Sequence, residues 1–286
     1  MTYSYFPGCT YHSTGQEYDR SFKAVCSELD IKLKDVNSWI CCGSSSAHST
    51  SKLLSVSLPT QNLSEIEKEG MGEVVVPCVG CYSRFKKSVY ELEHDPGLLK
   101  DVSEVIDYQF QNKVKVLNPL EIFSNGMREK VKGKVKKDLS KLKIVCYYGC
   151  VLTRPPKVMK FDQHEYPMSM DNILTDIGAD VLDWSYKTEC CGVSLSLTRS
   201  DIVVRLTGQI LKNASEVGAD AIAVSCPLCH ANLDTRQEEI SKLHNKKYNM
   251  PIMYFTQVMG LAFGFGFKEL SLNKHFVNPG ELLKRL

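Results

Sequence analysis

The chain has no excess charge of either sign: 35 Lys+Arg stand against 33 Asp+Glu, a formal net charge of +2 over 286 residues. That balance argues against nucleic-acid binding by bulk charge and leaves room only for a local basic pocket around an anionic ligand. A long apolar run is also missing. The most hydrophobic stretch, Ile252 to Phe267, is interrupted by Thr256, Gln257 and three glycines. A bilayer needs about 20 uninterrupted apolar residues, so no membrane span is expected. Met1 to Tyr5 offers neither the basic start nor the apolar core of a secretory signal, and the expected location is cytoplasmic. There thiols stay reduced and disulfides are disfavoured.

Cysteine, by contrast, is abundant, with twelve copies. Ten of them fall into two registers, C-x31-CC-x35-C-x2-C and C-x39-CC-x34-C-x2-C. The first comprises Cys9, Cys41, Cys42, Cys78 and Cys81. The second comprises Cys150, Cys190, Cys191, Cys226 and Cys229. Each Cys-Cys pair is followed by glycine (Gly43, Gly192), and each upstream cysteine is preceded by one (Gly8, Gly149). Only Cys26 and Cys146 stand outside.

The segments around the cysteines repeat as well, and the length suits two modest domains, each with its own core. Tyr3 to Phe6 reads as a first strand ending at Pro7-Gly8-Cys9. Phe22, Val25, Cys26 and Leu29 recur with helical period, which makes Cys26 a core residue. Ile31 to Leu33 reads as an edge strand, and Ser51 to Glu69 as helix broken near Pro59. Glu73 to Pro77 has the β-branched run of a buried parallel strand, placing Cys78 and Cys81 at its carboxyl end, where open α/β sheets hold ligands. Lys113 to Leu117 is a further strand. In the second half Leu142 to Tyr148, Ala221 to Ser225 and Ile252 to Phe255 repeat the strands, and Ile202 to Val217 repeats a helix. The expectation is an α/β protein of two pseudo-symmetric domains with mainly parallel sheets. These are residues 1–130 and 143–286, joined by a Lys/Glu-rich linker at 131–142.

Structural zinc would use four thiolates in a tetrahedron, and Cys-x-x-Cys is a good half-site for it. Five thiols per register exceed that need, and two adjacent ones do not easily serve one ion. Soft thiolates in this number favour iron–sulfur ligation, the fifth implying either a larger, more open cluster, whose different irons neighbouring cysteines can bridge, or a spare nucleophile. With Trp184-Ser185-Tyr186-Lys187-Thr188-Glu189-Cys190-Cys191-Gly192 in the second register, the chain resembles the Cys-Cys-Gly family typified by the B subunit of heterodisulfide reductase. The similarity runs from Tyr5-Phe6-Pro7-Gly8-Cys9 to His275-Phe276-Val277-Asn278-Pro279. Fused relatives add a ferredoxin-like domain, whose C-x2-C-x2-C-x3-C run is absent here.

The resemblance implies two non-cubane [4Fe-4S] clusters, each held by all five cysteines of one register. It implies a catalytic subunit that reduces the coenzyme M–coenzyme B disulfide to two thiols in methanogenesis. The implied partners are the small iron–sulfur subunit and the flavin-containing subunit of heterodisulfide reductase, with a hydrogenase or formate dehydrogenase upstream. An electron-relay subunit of a bacterial redox complex is the alternative of another class.

Among single residues, His12, His48 and His230 lie near cluster cysteines, as hydrogen-bonding neighbours or as proton donors to a departing thiolate. Lys187, three residues before Cys190, is the preferred cation for a substrate anion, with Arg84, Arg154 and Arg199 as further candidates or plain surface charges. Cys146 alternates within a strand and is expected to be buried. His164 and His244 have no cysteine context.

Overall fold

A computed structural model describes residues 1–44, 46–124 and 126–285. It contains two four-stranded, wholly parallel sheets of the same topology. The first runs β2-β1-β3-β4 and the second β6-β5-β7-β8. The strands are β1 Thr2–Tyr5, β2 Lys32–Asp35, β3 Glu73–Val75 and β4 Lys115–Leu117, then β5 Lys143–Tyr147, β6 Asp180–Val181, β7 Ala221–Val224 and β8 Ile252–Tyr254. The central strands β5 and β7 are almost wholly apolar on both faces, as helix-covered parallel sheets require, and Ala221 to Val224 are each fully buried. The expected α/β duplication is thus present, down to the order of the strands.

The duplication reaches details that the cysteines do not demand. In each half the strand after Cys-x-x-Cys ends in a helix cap of the same design. The Asn118 N–H donates to Glu121 Oε2 at 2.8 Å, and the Tyr254 N–H donates to Gln257 Oε1 at 2.9 Å. The residue following each Cys-x-x-Cys then connects to that cap. Tyr82 donates to Glu121, and His230 reaches Gln257 through His275.

The halves join along a seam with matching parts. Helix Gln16–Glu28 packs on Phe255–Ala262, and helix Ser169–Asp176 packs on Pro119–Ser124. Its core is aromatic: Phe22 meets Phe123 at 5.9 Å, Phe123 meets Phe255 at 6.0 Å, and Tyr18 meets Phe255 at 6.2 Å, all edge to face. A buried Ser21–Thr256 hydroxyl pair at 2.7 Å pins the register.

The helix expected to break at Pro59 is continuous over Lys52–Lys68. The Ser51 hydroxyl caps it by accepting from the Leu54 N–H at 3.2 Å, and its buried face, including Val56, Leu63 and Ile66, outweighs the one N–H that proline lacks. Helix Arg128–Gly133 enters the stretch read as linker, where Val131 and Leu139 are fully buried.

Candidate metal centre

Each register folds into one thiol group. In the first half Cys42 and Cys81 sulfurs lie 2.9 Å apart, and Cys81 also hydrogen-bonds Cys78. Cys9 sits within the field of Cys41, Cys42 and Cys78. In the second half Cys191 and Cys229 are 3.3 Å apart, Cys229 also bonds Cys226, and Cys150 bonds Cys190. The two groups are exposed alike. Cys42, Cys78 and Cys81 are buried while Cys9 and Cys41 are exposed. Cys191, Cys226 and Cys229 are buried while Cys190 is exposed and Cys150 half-buried.

Backbone geometry explains the glycines. Gly8 and Gly149 have φ of +63° and +70°, and Gly43 and Gly192 have +70° and +73°. Space is short as well: a Cβ on Gly149 would stand 3.1 Å from the Cys229 sulfur, and one on Gly8 would stand 3.4 Å from Cys81. The Cys-x-x-Cys loops leave β3 and β7 and enter helices Val79–His94 and Pro227–Thr235, with Cys78 and Cys226 as N-caps.

These surroundings divide the thiols: Cys81, Cys150 and Cys229 are pushed up by hydrogen bonds to neighbouring sulfurs and by burial, while their partners are drawn toward the thiolate. Hydrogen bonds from Cys81 and from the N–H groups of Cys81 and Gly80 hold Cys78 down to about 7. Cys150 and the Gly192 N–H, 3.3 Å from its sulfur, hold Cys190 down to about 6. Burial pushes the thiols of Cys26 and Cys146 upward, so both are inert core residues, as their patterning implies. Ten soft donors in two groups of five, several of them met by backbone N–H groups, fit iron–sulfur ligation.

The Cys-x-x-Cys loops also adjoin one another: a Cβ on Gly80 would lie 3.6 Å from Leu228 of the other half. Tyr18, at the seam, feels the charges of Cys226 and Cys78.

The other residues singled out from sequence take diverse places. His12 is exposed and stacks on Trp39 at 5.5 Å. His48 is exposed, its Nδ1 2.8 Å from Arg84, which also donates to the Ser44 carbonyl. His230 is buried, its Nε2 3.0 Å from the Ile252 carbonyl and 2.7 Å from His275 Nδ1. Desolvation, then the adjoining His275 imidazole, pushes it well below 6.5, and its contacts suit the hydrogen-bonding role weighed beside proton delivery.

The expected role of Lys187 is corrected. It is 1% exposed, with Nζ 2.7 Å from Asp171 and 4.2 Å from the Tyr166 ring centre, inaccessible to a substrate anion. Its carbonyl accepts from the Tyr148 and Gly149 N–H groups and so anchors the approach to Cys150. Arg154 pairs with Glu165 and Arg199 with Asp201.

Sequence reasoning missed Thr10, which bonds Cys9 and Cys78, and Asn232, which bonds the Cys191 carbonyl at 3.1 Å. It also missed Asp171 and the seam tyrosines. Asn232 lies three residues after Cys229, one turn along the helix, a spacing that could have flagged it.

No helix among the described residues is long and apolar enough to cross a membrane. The chain is 29% identical over 283 residues, 98% of each protein, to the 8-methylmenaquinol:fumarate reductase membrane anchor subunit of Wolinella succinogenes. It is 24% identical to the B subunit of the ferredoxin/F420H2-dependent CoB-CoM heterodisulfide reductase of Methanosarcina acetivorans, over 99% of this chain and 96% of that one. A protein of Archaeoglobus profundus, named as like the B subunit of heterodisulfide reductase, is 23% identical over 93% and 91%. A crystal structure of a hypothetical protein from Helicobacter pylori superposes with a TM-score of 0.75 at 13% identity. It covers 97% of this chain and 52% of that one, and shows the fold alone. The Cysteine-rich domain profile, abbreviated CCG, matches residues 3–86 and 144–234. With a match in each half and more than half its length covered, the chain belongs to the Cysteine-rich (CCG) domain family.

Proposed function

We propose that the chain is the cluster-bearing catalytic subunit of a heterodisulfide-reductase-type oxidoreductase. Cys9, Cys41, Cys42, Cys78 and Cys81 would hold one non-cubane [4Fe-4S] cluster. Cys150, Cys190, Cys191, Cys226 and Cys229 would hold the other. When bound, the clusters would supply the electrons and Lewis-acidic iron for reducing a small disulfide. The chain would work within an enzyme complex in the cytoplasm, beside a small iron–sulfur subunit, a flavin-containing subunit and a hydrogenase or formate dehydrogenase. The coenzyme M–coenzyme B disulfide of methanogenesis is one substrate of the class.

The observation that carries it is the presence of two alike five-thiol groups whose Cys-x-x-Cys loops adjoin at one seam. Breaking an S–S bond takes two electrons and yields two thiolates, so a duplicated site matches the reaction. Two protons complete the thiols. His12 and His48 are the exposed candidates to deliver them, and Arg84 beside His48 is placed to hold a substrate sulfonate, phosphate or carboxylate.

A second reading is favoured by the pairing of the other cations. Lys187, Arg154 and Arg199 each pair with an acid, so of the four cations singled out near the motifs only Arg84 has no acidic partner among the described residues. A rim so weakly basic also suits an uncharged two-electron partner. Electron relay from a quinol, in a complex like that of the Wolinella relative, fits this.

The test is turnover by the anaerobically reconstituted chain with reduced viologen. Two thiols formed from the coenzyme M–coenzyme B disulfide, or from a small neutral disulfide, support the first reading. Inertness toward both disulfides, with menaquinol reducing the chain's clusters, supports the second.

A further inference from the structure

An aromatic column crosses the seam between the two thiol groups. It begins at Tyr11, two residues after Cys9, whose ring meets Tyr18 edge to face at 5.7 Å. Tyr18 stacks on Tyr254 at 4.5 Å, and Tyr254 stacks on His230, the neighbour of Cys229, at 4.4 Å. Tyr11 is 5% exposed and Tyr18 fully buried, yet neither hydroxyl has a hydrogen-bond partner among the described residues. Four other buried tyrosines do have partners. Tyr5 donates to Asp19, Tyr82 to Glu121, Tyr147 to the Glu189 carbonyl and Tyr148 to Asp171.

Leaving a buried hydroxyl unpaired costs about 1–3 kcal/mol, and phenylalanine would fill the same space without that cost. Two such hydroxyls side by side therefore call for an acceptor. Each is a phenol that keeps its proton at neutral pH and so is a donor. Their ionisable neighbours include sulfurs of the two registers: Cys78 for Tyr11, beside Tyr18, Tyr5 and Tyr254, and Cys226 with Cys78, one from each half, together with the core Cys26, for Tyr18.

We propose that Tyr11 and Tyr18 are positioning residues whose hydroxyls donate hydrogen bonds to electron-rich sulfur held at the seam. This rests on the iron–sulfur reading. The sulfur belongs either to a bound cluster or to a thiolate seated beside it. A donor stabilises the more negative, reduced state, so these phenols raise the reduction potential of the centre they touch. Because Tyr18 lies between sulfurs of both halves, it also links the potentials of the two sites.

The test uses the full chain, reconstituted anaerobically, with Tyr11→Phe and Tyr18→Phe made separately. Midpoint potentials are measured with and without 2-mercaptoethanol, alongside iron content and thermal midpoint. A lowered potential without added thiol, at unchanged iron content, supports donation to cluster sulfur. A potential lowered only with 2-mercaptoethanol present supports donation to a bound thiolate. Unshifted potentials in both conditions, with iron fully retained, overturn the inference and leave the iron–sulfur reading standing. A wild-type chain that takes up no iron overturns both. Should a phenylalanine variant fail to fold, 3,5-difluorotyrosine at position 18 decides. It is nearly isosteric and a stronger donor, so it must raise the potential, and an unchanged potential overturns the inference.

Discussion

Gly149 and Lys187 illustrate how single residues serve the thiol groups without touching a substrate. Gly149 combines a left-handed backbone with a Cβ position 3.1 Å from the Cys229 sulfur. Gly149→Ala is therefore expected to strain the turn by about 1 kcal/mol and to displace Cys150 or Cys229. Iron analysis after reconstitution should show loss of the second cluster, about four of eight irons, with the first retained. Lys187 and Asp171 form a buried pair, 2% and 5% exposed at the side chain. Lys187→Met leaves the Asp171 carboxylate uncompensated and should cost about 3 kcal/mol in denaturant unfolding. Restoring neutrality with the Lys187→Met, Asp171→Asn double variant should recover most of it. A Lys187→Met chain of unchanged stability but weakened substrate binding would return the lysine to the substrate-contact role. Register alone suggested that role; only burial shows where a flexible side chain ends.

Elements were legible where periodicity was strong and ambiguous where packing decides. The β-branched runs at Glu73 and Ala221 announced central strands because both faces are buried. Pro59 looked like a helix break because local rules weigh the missing N–H without knowing what the helix face covers. The segment after the second sheet, bearing His275, was legible only as resemblance. In the structure it returns to Cys226–Cys229 through the His230–His275–Gln257 contacts. Desolvation holds His275 down to about 4. The folded chain thus keeps it neutral, whereas the unfolded chain binds a proton near 6.5. Its contribution is full above pH 6.5 and is lost as pH falls toward 4, about 2 kcal/mol between pH 7 and pH 5. Asp234 has the opposite sign, since burial raises it to about 6 and favours the folded state on acidification. The wild type is therefore compared with His275→Gln: the variant should lose less stability between pH 7 and pH 5, read from urea midpoints at the two values. Equal losses in both proteins would refute the assignment.

At the scale of the whole molecule, the two halves are joined by aromatic packing at the seam, with an Arg128–Asp176 ion pair beside it. Phe255→Ala at the seam should cost about 3–5 kcal/mol in unfolding and, by loosening the contact of the halves, shift the spectra of both clusters together. Two separate unfolding transitions in the wild type would show instead that the halves are independent. The sequence by itself determined the duplication, the parallel α/β class and the ten candidate ligands. Each of these is written in local terms: spacing, period, and the glycines that left-handed turns require. Tertiary structure alone decided which thiols are buried and which face solvent, that His230 bonds His275 and Lys187 pairs with Asp171, and that two buried phenols without a partner among the described residues lie at the seam. Those facts depend on contacts between residues far apart in the chain, such as Tyr18 with Tyr254 and Gly80 with Leu228, which no local pattern encodes.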